Sequence, residues 1–199
     1  MKSFQRTIDG VRYTARAEEE LAGQVDGVFT LLEALDPGKL RNGFVISMPW
    51  APLILAGDGE GYALTSPDFS RDPLAETTDD LSILLWVLVE QSRLLRQAGV
   101  DGAGVAFDDK VVMADGVLSE PDVYLERTAD APHGDSGWYV GPTDRRQVDE
   151  YRSCYAFELL RSRPGLIQAL AFPPGFLLVF DGDSIKAILD PNDENLLST

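Results

Sequence analysis

Gly134-Asp135-Ser136-Gly137 sets a serine between an acid and two glycines, and His133, the one histidine of the chain, lies three residues before that serine. A nucleophilic serine needs a histidine base facing it and an acid orienting that histidine, delivered from separate parts of the fold. His133 shares a short loop with Ser136, Trp138 follows the second glycine, and no Gly-x-Ser-x-Gly elbow occurs elsewhere. Covalent hydrolysis on Ser136 is rejected on those grounds. With one histidine and one cysteine, Cys154, the chain cannot build a zinc site of nitrogen and sulfur ligands. Asp181-Gly182-Asp183 and residues 190–194 supply carboxylates, but Ile185 stands where a calcium loop needs oxygen, so both read as acidic turns facing water. Residues 57–61 are glycine-rich but lack the lysine and hydroxyl residue of a phosphate loop. Cys154 reads as a small buried hydrophobe. The expectation is a protein without a catalytic residue, metal or cofactor, and so not an enzyme.

The elements around these residues follow from periodicity. Residues 3–8 and 11–15 alternate about Asp9-Gly10, which predicts a hairpin. Leu21, Val25, Val28, Phe29, Leu32 and Leu35 recur at helical spacing up to a stop at Asp36-Pro37-Gly38. Short strands are expected at 44–48, 53–56 and 62–65. A helix over 80–98 is predicted to be capped by Thr78 or Asp79 and to be buried on several sides through its first half, because 81–89 is apolar apart from Ser82.

Residues 100–104 look like a seam. Beyond it a hairpin is expected from 105–107 and 111–114, then strands at 123–127 and from 138. Val148, Tyr151, Tyr155 and Leu159 predict a helix ended by Pro164, which opens a second short helix through Ala171. Strands at 176–180 and 185–189 close the chain. The fold class expected is α+β: two small units, 1–103 and 104–199, each a mostly antiparallel sheet packed with one or two helices.

The chain has 199 residues, 17 basic against 33 acidic, for a formal net charge of −16. Such a surface repels phosphate backbones and anionic lipid, so nucleic acid and membrane are poor partners, whereas a basic protein would be drawn to it. No apolar leader segment opens the sequence, the longest apolar run is too short to span a bilayer, and the single cysteine fits a reducing compartment. A cytoplasmic location is expected.

The run Asp135-Ser136-Gly137-Trp138, entered from a strand at 122–128, is followed by Gly141 and Asp144, then Tyr151, Tyr155 and Leu159, then Pro164, residues 166–170 and Pro174-Gly175-Phe176. In that order and spacing, from about 105 to 190, the second half resembles the immunity-protein-33-like domain family. It departs from that pattern in having Tyr139-Val140 where Arg-Phe is frequent, and Arg161-Ser162 where asparagines occur. The resemblance implies a bacterial immunity protein that neutralises a cognate toxin by contact. Trp138, Tyr139 and Trp50 are the expected anchors, with Asp135 as a polar neighbour, and a basic toxin is the expected partner. The competing expectation is a small-molecule-binding or regulatory module with a ligand cleft between the halves.

Overall fold

The structure is a computed structural model that describes residues 1–57, 60–144 and 146–197. It divides into two compact units, Met1–Leu88 and Val89–Thr199. Their bound falls inside one helix.

In the first unit, Asp9 and Gly10 both take positive φ (50° and 83°), the left-handed pair that a two-residue hairpin turn requires. They join β1 (Lys2–Ile8) to β2 (Val11–Ala17), paired from Ile8↔Val11 outward. Helix α1 (Ala22–Glu33) buries Val25, Val28, Phe29 and Leu32, as the spacing predicts. It gives way to a 3-10 turn at Pro37–Lys39, where the Asp36 carboxylate accepts from the Gly38 N–H. Strands β3 (Val45–Ile46), β4 (Leu53–Gly57), β5 (Gly61–Pro67) and β6 (Thr77–Thr78) complete a sheet ordered β1-β2-β5-β4-β3, with β6 on β5. Among the described strands β2 and β5 pair in parallel and the other pairs are antiparallel. The turn expected at 57–61 includes residues 58–59, which lie outside the described residues.

Helix α2 (Ser82–Ala98) starts two residues later than expected, and its N-terminal carboxylate is Asp80, which accepts from the Ser82 N–H at 3.0 Å. Thr78 caps one step earlier, taking the Asp80 N–H, while Asp79 is held by Arg16. The expectation of burial on several sides is also corrected: Leu81, Leu84, Leu85 and Val87 are buried, but Ile83 and Trp86 face water.

The second unit contains β7 (Lys110–Ala114), β8 (Asp122–Arg127), β9 (Asp135–Pro142), β10 (Tyr151–Tyr155), α3 (Leu159–Ser162), a 3-10 run at Pro164–Ala171, β11 (Leu177–Asp181) and β12 (Ser184–Leu189). The sheet order is β10-β7-β9-β8-β11-β12; among the described strands β7 and β9 pair in parallel and the others antiparallel. Both units are therefore α+β with mixed, mainly antiparallel sheets.

Two expectations fail here. Residues 105–107 form no strand, because the Asp109 carboxylate and N–H both turn back on Ala106, and the carbonyls of Phe107 and Asp109 accept from Phe157 and Ala156. The helix expected through Val148 and Tyr151 is strand β10 instead. Its four-residue spacing mimics a helix, but the edge of β7 supplies a ladder, and pairing overrides local periodicity. Helix appears only at α3, after a 3-10 turn in which the Glu158 carboxylate accepts the Tyr155 N–H at 2.7 Å.

One face of this second sheet presents Val123, Leu125, Trp138, Val140, Leu178 and Phe180, all buried with Leu166, Ile167 and Leu170 of the 3-10 run. Burying each such side chain contributes about 1.5–3 kcal/mol, so this layer is the main driving force for the unit. On the other face Tyr124, Tyr139, Leu177 and Val179 are only half-buried and Glu126 is exposed.

Candidate functional site

The Asp-Ser-Gly-Trp run is built as a lock within β9. Asp135 Oδ1 accepts the Gly137 N–H at 2.8 Å, an Asx turn. Ser136 Oγ donates to the Lys110 carbonyl at 2.7 Å and accepts the Trp138 N–H at 3.1 Å, tying β9 to β7 where their register slips. Gly137 has φ +76°, and a Cβ there would meet the Thr128 carbonyl oxygen at 2.7 Å, so only glycine fits. Trp138 is 1% exposed and donates Nε1–H to the Leu170 carbonyl at 3.0 Å, joining the sheet to the 3-10 run. Arg127 closes the lock. Its guanidinium lies 5.8 Å from the Trp138 ring and donates to the carbonyls of Ser136, Ala103 and Phe172. Burial depresses its pKa, with Asp109 opposing, yet an arginine starts so high that it stays charged, solvated here by main-chain oxygens. Arg163 repeats the device with the carbonyls of Glu120, Pro121 and Gly182.

The open face lies one residue out of phase. Tyr124 stands opposite Gly141 and Glu126 opposite Tyr139, so all four share the side away from Trp138. The rings of Tyr124 and Tyr139 meet edge-on at 5.8 Å, and Tyr151 from β10 approaches Tyr139 at 6.1 Å. Gly141 is their floor: a Cβ there would lie 2.7 Å from atoms of both the Tyr124 and Tyr139 rings. Leu177 and Val179 continue the face across β11, opposite Glu126 and Tyr124. The result is a hollow of about 480 Å³ with aromatic and aliphatic walls. At its rim Arg146 is paired with Glu120 and with Asp144, whereas Glu126 makes no ion pair among the described residues. Burial first, then neighbouring phenols, raises the Tyr139 pKa, with Arg146 pulling the other way; burial and Glu126 raise that of Tyr124. Both phenols therefore stay protonated at neutral pH and can donate as well as accept.

A family model for the Imm33-like domain matches residues 90–191, half of the chain. The chain belongs to the Imm33-like domain family. The match falls within the second unit and spans the lock, the tyrosine face and the last hairpin. No curated protein and no solved structure matches the chain significantly.

Within the Imm33-like domain the sequence-expected residues separate. Trp138 sits in the core and presents nothing at the surface; Asp135 is half-buried and spent on the turn; Tyr139 alone lies on the open face. Trp50 belongs to the first unit, 1% exposed beside Phe69, with Nε1 lacking a hydrogen-bond partner among the described residues. Tyr124, Tyr151, Glu126 and Gly141 were not expected as site residues. The alternations Val123-Tyr124-Leu125-Glu126 and Trp138-Tyr139-Val140-Gly141 carried the signal for three of them, whereas Tyr151 was hidden by its misread helix. Cys154 of the Imm33-like domain is half-buried, and burial, then Glu158, pushes its thiol up to about 11. Among the described residues no group of three or more histidine, cysteine, aspartate or glutamate side chains could hold a metal, and no helix is long and apolar enough to cross a membrane.

Proposed function

We propose that this chain is a bacterial immunity protein that acts in the cytoplasm by binding, without catalysis, and that the tyrosine face of its Imm33-like domain contacts a basic toxin. The observation that carries this reading is the pair Tyr124 and Tyr139, half-buried over Gly141, with Tyr151 exposed beside Tyr139. Tyrosine is enriched at the centre of protein interfaces because a rigid ring buries much area at small entropic cost while its hydroxyl keeps a hydrogen bond. The hollow has room for a partner side chain, and Glu126 at its rim, without an ion pair among the described residues, favours a cationic one on a chain of net charge −16.

Affinity capture of the tagged chain from its source lysate, at low and high salt, tests the reading. One basic protein should be recovered at near-equal stoichiometry, more weakly at high salt, because exposed charges are screened over about 8 Å at physiological ionic strength. Co-expression should suppress that protein's toxicity. A partner without toxicity, or one retained equally by a Tyr124→Ser/Tyr139→Ser variant, would count against it.

A further inference from the structure

The first unit, which the family match does not reach, has a hollow of about 340 Å³ lined by Glu18, Glu20, Leu21, Ser82, Ile83 and Trp86. Trp86 is 38% exposed, while the other two tryptophans of the chain are 1% exposed. Ile83, one turn away on the same helix, is also open. A large aromatic and an aliphatic side chain exposed together on a rigid element mark a binding surface more often than a lone exposed hydrophobe does.

The frame around this hollow is pinned. Ser82 Oγ donates to Asp80 Oδ1 at 2.6 Å and accepts the Glu18 N–H at 2.9 Å, fastening the end of β2 to the start of α2. The Leu81 N–H donates to the Arg16 carbonyl at 2.8 Å, and Arg16 Nη1 reaches both Asp79 oxygens at 3.0 Å. The charged side chains in the lining are carboxylates alone, with no basic residue. Glu18 accepts from the Met1 amine, but Glu20 makes no hydrogen bond or ion pair among the described residues.

We propose that this hollow is a second docking site, which receives an arginine side chain presented by a basic protein partner. The guanidinium would lie on the exposed Trp86 face and pair with Glu20, while its aliphatic stem covers Ile83 and Leu21. Indole is the strongest ring for a cation, and guanidinium stacks flat on it. Charge complementarity selects this occupant: Glu18 and Glu20 line the hollow beside Trp86 on a chain of net charge −16, and Glu20 makes no ion pair among the described residues. The site is independent of the tyrosine face, so either can fail without the other.

Trp86 is its own reporter, because the buried Trp50 and Trp138 respond little to a surface quencher. Titration of the full chain with a tetra-arginine amide should give a saturable change in tryptophan emission and shield Trp86 from acrylamide, and a tetra-glutamine amide should do neither. Glu20→Lys keeps the fluorophore and should weaken the arginine response by about tenfold or more. Tyr124→Ser/Tyr139→Ser should leave it intact. No saturable change, equal response to the glutamine peptide, or an unaltered response in Glu20→Lys would overturn the proposal. Shielding of Trp86 by concentrating the chain alone would assign the hollow to a second copy and overturn it equally.

Discussion

Trp138 and Tyr139 are consecutive in β9 and serve opposite faces of one sheet: the first is bonded through Nε1 to the Leu170 carbonyl in the core, the second packs against Tyr124 on the open side. The residue that marks the family motif is therefore a structural pin, and the residue beside it lies on the proposed contact surface. Mutations at the two positions should separate stability from binding.

Ser136→Ala should destabilise the second unit by about 1–3 kcal/mol, because it strands the Lys110 carbonyl and the Trp138 N–H that the hydroxyl serves. Asp135→Asn keeps an oxygen acceptor for the Gly137 N–H and should cost much less. Urea denaturation followed by tryptophan emission compares the two. Equal, small effects would show that the Asp-Ser-Gly-Trp run is not the lock described.

Gly137→Ala should cost more than Gly141→Ala. At 137 the new Cβ meets main-chain oxygen in a left-handed conformation, about 1–3 kcal/mol of strain with little room to relax. At 141 it meets tyrosine rings that can swing aside, so the fold should survive while the hollow changes shape. Thermal melts give the ranking, and the reverse order would contradict the assignment of floor and lock.

Cys154 should alkylate slowly. A thiol at about 11, against 9.0 without burial, holds about a hundredfold less thiolate near neutral pH, since each unit is a tenfold change. Iodoacetamide labelling at pH 8 should lag a free cysteine control by that order and speed up tenfold per unit toward pH 11. Rapid labelling of the folded chain would place this thiol in water instead.

The phenols of both units predict an alkaline limit. Tyr13, Tyr124 and Tyr139 all have pKa values raised above 10.0 in the folded state, chiefly by burial. Folding thus favours their protonated form; the stabilisation is complete below about pH 10 and is lost as pH rises through the raised values. Absorbance at 295 nm should show these phenols ionising late, and Tyr124→Phe/Tyr139→Phe should soften the alkaline loss of stability.

The hairpin at Asp9-Gly10, helix α1, α2 apart from its cap, and the closing strands around Asp181-Gly182-Asp183 were legible because turn chemistry and apolar period agree there. Strand β10 was not, since Tyr151-Arg152-Ser153-Cys154-Tyr155 has apolar residues four apart and its true partner lies some forty residues earlier on β7, which no local window sees. The Asp-Ser-Gly-Trp run was visible but its purpose was not: hydrogen bonds from Ser136 to Lys110 and from Trp138 to Leu170 are long-range. The exposure of Trp86 was likewise hidden within an apolar run that reads as buried all round.

The proposed function places the partner on the tyrosine face. Isothermal calorimetry of the captured basic protein against wild-type chain, Tyr124→Ser/Tyr139→Ser and Glu126→Lys tests it most directly. The wild type should bind one-to-one, each variant should lose at least about tenfold as expected for a central aromatic anchor or a reversed rim charge, and Glu126→Lys should keep its thermal folding. Affinities that stay within twofold across all three proteins would contradict it and move the interface off this sheet.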